Sequence, residues 1–129
     1  MANMMRQFHS PEKFQAAGAL KSTVADLLKY ACWHTAETDE AVKLTHHPTW
    51  SATDSNYSAG LNWQMLKSAD GSSRLIWQSG NLSGFSSMCA VYPELDMGIV
   101  ILTNLERGKL SDMTTQISQA IDSRAVAFP

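Results

Sequence analysis

Cysteine is nearly absent from this chain of 129 residues, which has only Cys32 and Cys89. Two are too few for a disulfide scaffold, and no Cys-x-x-Cys pair marks a metal or redox site. Both read as buried free thiols. Long apolar runs are missing as well: the longest, Met97 to Leu102, is interrupted by Gly98 and is far too short to cross a bilayer. The opening Met-Ala-Asn-Met-Met-Arg-Gln-Phe-His has no apolar signal-peptide core. Nor is there a positive excess. Ten Lys plus Arg stand against twelve Asp plus Glu, a formal net charge of −2, and no basic stripe is visible. Nucleic acid is therefore not an expected partner, and neither is a membrane. What is present is globular composition, 44% hydrophobic and 17% charged, with the length of a single domain over 1–129.

Residues 1–15 are polar and irregular, and Pro11 argues against one helix running through them. Ser22 or Thr23 is placed to cap a helix, with Asp26 three residues after Thr23 in a capping-box arrangement. Val24, Leu27, Leu28, Ala31 and Cys32 fall on one face of that helix, which is predicted to end near His34. A second, weaker helix is predicted over 37–45 through Ala41, Val42 and Leu44, stopping before Pro48.

After a polar loop over 49–58 the periodicity changes to two. Leu61, Trp63 and Met65 alternate with Asn62 and Gln64 as a strand buried on one face. Asp70-Gly71 signals a hairpin turn, and Leu75-Ile76-Trp77 the returning strand, ended by a Gly-rich interruption over 79–84. Residues 85–92 and 97–103 read as two more strands joined at Pro93-Glu94-Leu95-Asp96. The last is apolar on both faces and is expected at the centre of the sheet. Ser111 is expected to cap a final helix with Met113, Ile117, Ala120 and Ile121 as its core stripe. The predicted fold class is α+β: an antiparallel meander of about four strands packed against a C-terminal helix and one or two N-terminal helices.

The histidines give no metal site. His46 and His47 are adjacent and diverge on a helix, no third ligand has suitable spacing, and His9 and His34 stand isolated; solvated helix-end histidines account for them. Trp63 and Trp33 are expected in the core, whereas Trp50 and Trp77 are the candidates for lining a groove. Glu37, Asp39 and Glu40 read as complementing a helix start.

The stretch Trp77-Gln78-Ser79-Gly80-Asn81-Leu82-Ser83-Gly84-Phe85-Ser86-Ser87 resembles the third-motif strand and following loop of the serine β-lactamase-like hydrolases. These are the class C β-lactamases, penicillin-binding carboxypeptidases and related esterases. In that family a Lys-Thr-Gly or His-x-Gly triplet precedes a Gly-Phe loop, a Pro-Glu turn and a strand ending near Thr-Asn. Pro93-Glu94 and then residues 98–104 follow here in that order. Upstream, residues 17–27 are similar to the family's Gly-Gly-Leu-x-Ser-Thr-x-x-Asp segment, and residues 57–63 to its Tyr-Gly-Leu-Gly-Trp strand entry. The resemblance covers residues 16–121 in collinear order and implies a partial β-lactamase-like domain.

The resemblance also implies a chemistry that needs a Ser-x-x-Lys, with serine attacking a carbonyl and lysine assisting its deprotonation, and a Tyr-x-Asn or Ser-x-Asn nearby. Both lie upstream of the Gly-Gly-Leu segment in the family. The formal Ser10-Pro11-Glu12-Lys13 reads better as Ser10 capping a short helix with Pro11 at its first position. Tyr30, Tyr57 and Tyr92 are followed two residues later by Cys32, Ala59 and Glu94, so none opens a Tyr-x-Asn. The third motif is itself altered. Gln78 stands where the family has Lys or His, Ser79 keeps the hydroxyl, Gly80 follows, and the backbone N–H of Asn81 would be one oxyanion-hole donor. Candidate ligand contacts are Trp77, Gln78, Ser79, Asn81 and Ser83. The expectation is a truncated or stand-alone carboxy-terminal fragment of such a hydrolase, inactive alone, with no cofactor. The alternative is a self-associating ligand-binding or interaction module of the same fold. Its partner would be a second copy, most simply in a dimer, or a complementary amino-terminal hydrolase segment. Family enzymes are often exported or periplasmic; this chain does not fix a location.

Overall fold

The computed structural model describes residues 18, 20–106 and 108–128. The irregular segment expected over 1–15, the Ser10–Lys13 triplet and His9 lie outside the described residues.

Helix α1 (Val24–Ala36) starts where its cap was legible: the Thr23 side chain accepts from the Asp26 N–H at 3.2 Å. The buried face differs from the expected one. Ala31, His34 and Thr35 point inward, while Val24 and Leu28 are 43% and 38% exposed and Cys32 is also exposed. The reason is how close α1 lies to the sheet. A Cβ added at Gly98 would sit 3.1 Å from the Ala31 Cβ, so small residues occupy the contact line and bulky ones lie beside it. The helix stops at Glu37, whose φ of 44° is left-handed, a conformation more often taken by glycine. Helix α2 (Glu40–Thr45) therefore begins three residues later than expected, capped by Asp39 accepting from the Ala41 N–H at 2.7 Å. Val42 is its buried residue, and Leu44 is exposed.

Six strands follow in a fully antiparallel meander whose spatial order is the chain order. They are β1 (Trp50–Ser51), β2 (Tyr57–Ala59), β3 (Gln64–Lys67), β4 (Arg74–Leu82), β5 (Phe85–Tyr92) and β6 (Met97–Thr103). The two extra strands come from the segment expected as a loop. Asn62 takes a left-handed φ of 67°, so Leu61 turns out to solvent and pairing begins only at Gln64. The turn after β3 contains Gly71 at φ 72°, as Asp70-Gly71 foretold. The Gly-rich stretch does not interrupt β4. Gly80 pairs with Ser87 and the strand continues to Leu82, so the break falls at Ser83–Gly84 instead. A single 3-10 turn, Pro93–Leu95, joins β5 to β6.

The strand expected at the centre, β6, is the last of the described sheet. It reads as apolar on both faces because a helix covers each of them, not because strands flank it on both sides. On one face, α1 packs with Trp63, Met65, Ile76 and Val91, with Val100 at their margin. On the other, α3 (Leu110–Ile121) covers Leu75, Trp77, Met88, Ala90, Tyr92, Met97 and Ile99. Ser111 lies inside α3 and does not cap it; the residue before the helix is Lys109.

The stripe expected to be core, Met113–Ile117–Ala120–Ile121, is exposed, and Leu110, Thr114 and Ser118 face the sheet instead. The tail after α3 accounts for this. It returns beside the helix, burying Ala125 and placing Phe128 4.9 Å from the Trp77 ring, while Tyr92 donates to the Val126 carbonyl at 3.3 Å. The apolar volume on this face is filled by the tail, and small side chains let α3 sit close. No described helix is long and apolar enough to cross a membrane.

Candidate functional site

The last β3–β4 pair is Gln64 with Trp77, so among the described residues 78–82 of β4 pair with β5 alone and leave an open edge. Ser83 and Gly84 form a two-residue turn between the paired Leu82 and Phe85. Counting back from that turn, Leu82 and Phe85 exchange hydrogen bonds, and the Ser79 and Asn81 amides point away from β5 toward the open edge. Ser79, Gly80, Asn81 and Ser83 are exposed there.

Two side chains on this edge, Gln78 and Asn81, are already engaged. Gln78 Nε2 donates to the Asn62 carbonyl oxygen and to Asn62 Oδ1 at 3.3 Å, and its Oε1 accepts from the Ser79 N–H at 3.2 Å. Gln78 is thus uncharged and tied to the turn at Asn62. Asn81 Oδ1 accepts from the Ser86 hydroxyl at 2.8 Å. Among the described residues nothing hydrogen-bonds to the Ser79 hydroxyl, so none of them is placed to take its proton. Trp77, expected beside these residues as a groove wall, is only 7% exposed and belongs to the α3-side core against Phe128 and Tyr57. Trp63 is buried as expected, whereas Trp33 is 46% exposed and Trp50 57%.

The model of the family described as Beta-lactamase matches residues 2–121 of this sequence. The chain belongs to the beta-lactamase family. That match covers every piece on which the resemblance rested, from residues 17–27 through the third-motif strand to Thr103. No curated protein matches the chain.

A second polar cluster was not foreseen. His34 and His46, expected to be isolated or solvated, are 3% exposed each and bonded to one another, Nδ1 of His34 to Nε2 of His46 at 3.0 Å. His46 Nδ1 meets Glu37 Oε1 at 2.6 Å; Glu37 Oε2 accepts from Arg74 at 2.8 Å, and Arg74 donates in turn to Glu94 at 2.5 Å. Glu37, expected only to complement a helix start, is therefore the hub. The carboxylate can only accept, so His46 carries its proton on Nδ1 and accepts at Nε2. His34 then donates from Nδ1 and keeps a lone pair on Nε2.

Burial and the neighbouring His46 push the His34 pKa down to about 4, and burial lowers His46 despite the Glu37 carboxylate. For Glu37, burial acts upward, but hydrogen bonds from Arg74 and His46 outweigh it and hold the carboxyl below its usual value. His34 lines an open cavity of about 250 Å³ with Tyr30, Trp33, Leu61, Asn62 and Trp63. Tyr30 and Thr45 carry the hydroxyls of the residues lining that cavity, and Thr45 donates its own to the Val42 carbonyl at 2.8 Å. No local periodicity could have revealed the cluster, because its members come from α1, its cap, the residue capping the end of α2, β4 and the 3-10 turn. Among the described residues no three His, Cys, Asp or Glu side chains are grouped to hold a metal ion.

Proposed function

We propose that this chain is a family member that does not cleave bonds by itself and that uses the β4 edge for contact with a ligand or partner. The observation that carries the reading is the state of the third motif. Gln78 supplies no positive charge and is held by Asn62, and among the described residues no side chain hydrogen-bonds to the Ser79 hydroxyl. Without that charge an anionic substrate loses its electrostatic anchor and proton transfer loses its assistant. The outward N–H of Asn81 offers one donor for a carbonyl oxygen, and a single donor supports binding more than turnover. Hydrolysis would require a Ser-x-x-Lys and a Tyr-x-Asn supplied by a complementary segment.

The test is intact mass after incubation of the folded protein with a penicillin and, separately, with an organophosphonate ester. The expected result is an unchanged mass. A single covalent adduct mapping to Ser79 or Ser10 overturns the reading and makes that serine a working nucleophile.

A further inference from the structure

The described surface has three uncharged features that meet at one place. The first is the outer edge of β6, Met-Gly-Ile-Val-Ile-Leu-Thr, seven residues without a Lys, Glu, Asp or Pro to discourage a further strand. The second is the exposed apolar row of α1, Val24 and Leu28. Tyr30, Trp33 and His34 mark the side of α1 that looks toward Trp63 on the β3 side. At about 100° per residue, Val24 and Leu28 lie on the opposite flank, overhanging β6. The third is the row Met113, Ile117 and Ile121 on α3, which are 46%, 40% and 67% exposed. Thr115 of α3 is bonded to Phe128 of the tail, which packs on Trp77 of β4, so the Met113 row lies on the flank away from β4. Both helices thus turn an apolar flank past the same open strand, one above the sheet and one below. Leu102, 38% exposed, continues the patch on the α1 face.

We propose that a second copy of this chain covers this surface, with β6 pairing antiparallel to β6 across a two-fold axis near Val100, in one continuous twelve-stranded sheet. Self-complementarity selects a second copy over an unrelated partner. A two-fold perpendicular to the sheet sets α1 beside α1 on one face and α3 beside α3 on the other, so each apolar row meets its own image. In the same register Ile99 faces Ile101 of the partner subunit and Gly98 faces its Leu102. No like charges are brought together, because the strand and both rows carry none. One operation closes the edge that is open among the described residues and both rows; a lone strand from another protein would satisfy the edge and leave the outer parts of the helical rows wet. This inference is independent of whether the third motif is catalytic, since assembly mass and covalent adduct are read separately.

Sedimentation of the full chain from low to high micromolar concentration tests it. The expected species has twice the mass of one chain. Ile117→Glu in α3 and, separately, Leu28→Glu in α1 are each expected to raise the dimer dissociation constant at least about tenfold, by burying a charge opposite its own copy. Both positions are exposed, so circular dichroism should show native secondary structure in each variant. Leu44→Glu, on α2 and away from β6, should leave the dimer unchanged. A monomer at every concentration overturns the proposal and assigns the edge to another segment or another protein. A dimer that survives both Ile117→Glu and Leu28→Glu overturns the proposed interface.

Discussion

His34 illustrates how much one residue's surroundings can add to its type. An exposed histidine near a helix end would titrate near its ordinary value and couple little to folding. Enclosed by Tyr30, Trp33, Trp63 and His46, with ring centroids 4.4 to 5.1 Å away, it is held neutral down to a pKa of about 4. Its unfolded value lies near 6.5, so between those values the unfolded chain binds more protons than the folded one. Stability is therefore full above the unfolded value and is lost as pH falls through this window. The lowered His46 and Glu37 act with the same sign. Thermal unfolding followed across pH 4 to 6.5 should show the midpoint falling on acidification. In His34→Gln, which retains a donor for His46 but cannot titrate, the slope should flatten by about one proton. An unchanged slope would mean that His34 is not buried neutral. Ion pairs outside this cluster matter less: Lys29–Asp26 is 80% and 60% exposed, so solvent screens it.

At the scale of elements, the docking of α1 on β6 depends on what is small. Ala31 sits against Gly98, with Thr35 Oγ1 3.5 Å from where a Cβ at Gly98 would be. Gly98→Val would drive branched methyls into this contact and should cost about 1–3 kcal/mol, seen as a lower urea midpoint at unchanged slope. Ala31→Gly in the same chain should recover part of that loss, because the volume is returned locally; no recovery would place the strain elsewhere.

Several elements were legible because their signals are local. The Thr23 cap, the Asp70-Gly71 turn, and the strands over 85–92 and 97–103 depend on neighbours within a few residues, and they appear as read. Leu61 and the stripes of α1 and α3 were misread for a different reason. Their apolar periodicity is real, yet Asn62 turns the chain before β3, Gly98 draws in the small face of α1, and the tail at Ala125 and Phe128 takes the place of the α3 stripe. Each of those deciding contacts is distant in sequence.

For the whole molecule, the consequence is a meander between two helical layers, each with its own cluster of buried residues. Cys89 lies in β5 between Gln78 and Val100, half-buried under the α1-side cluster, and burial pushes its thiol up to about 11. It is not bridged to Cys32, which is exposed contrary to the buried thiol expected from its helical position. In a Cys32→Ser protein, labelling of Cys89 by a thiol reagent should follow the opening of the α1 layer and accelerate sharply through the denaturant transition. Rapid labelling under native conditions would show that α1 is not held on the sheet.

The sequence by itself determined the α+β class, the antiparallel meander and the family, because alternation, turn residues and motif order are written locally and in chain order. Only the tertiary structure decided that Gln78 is tied to Asn62, that Trp77 belongs to the core, and that β6 stands at the edge of the described sheet. It alone assembled Glu37, Arg74, His34 and His46 into one network. These outcomes depend on which surfaces meet across tens of residues, and burial or charge pairing between distant segments leaves no periodic trace in a single chain.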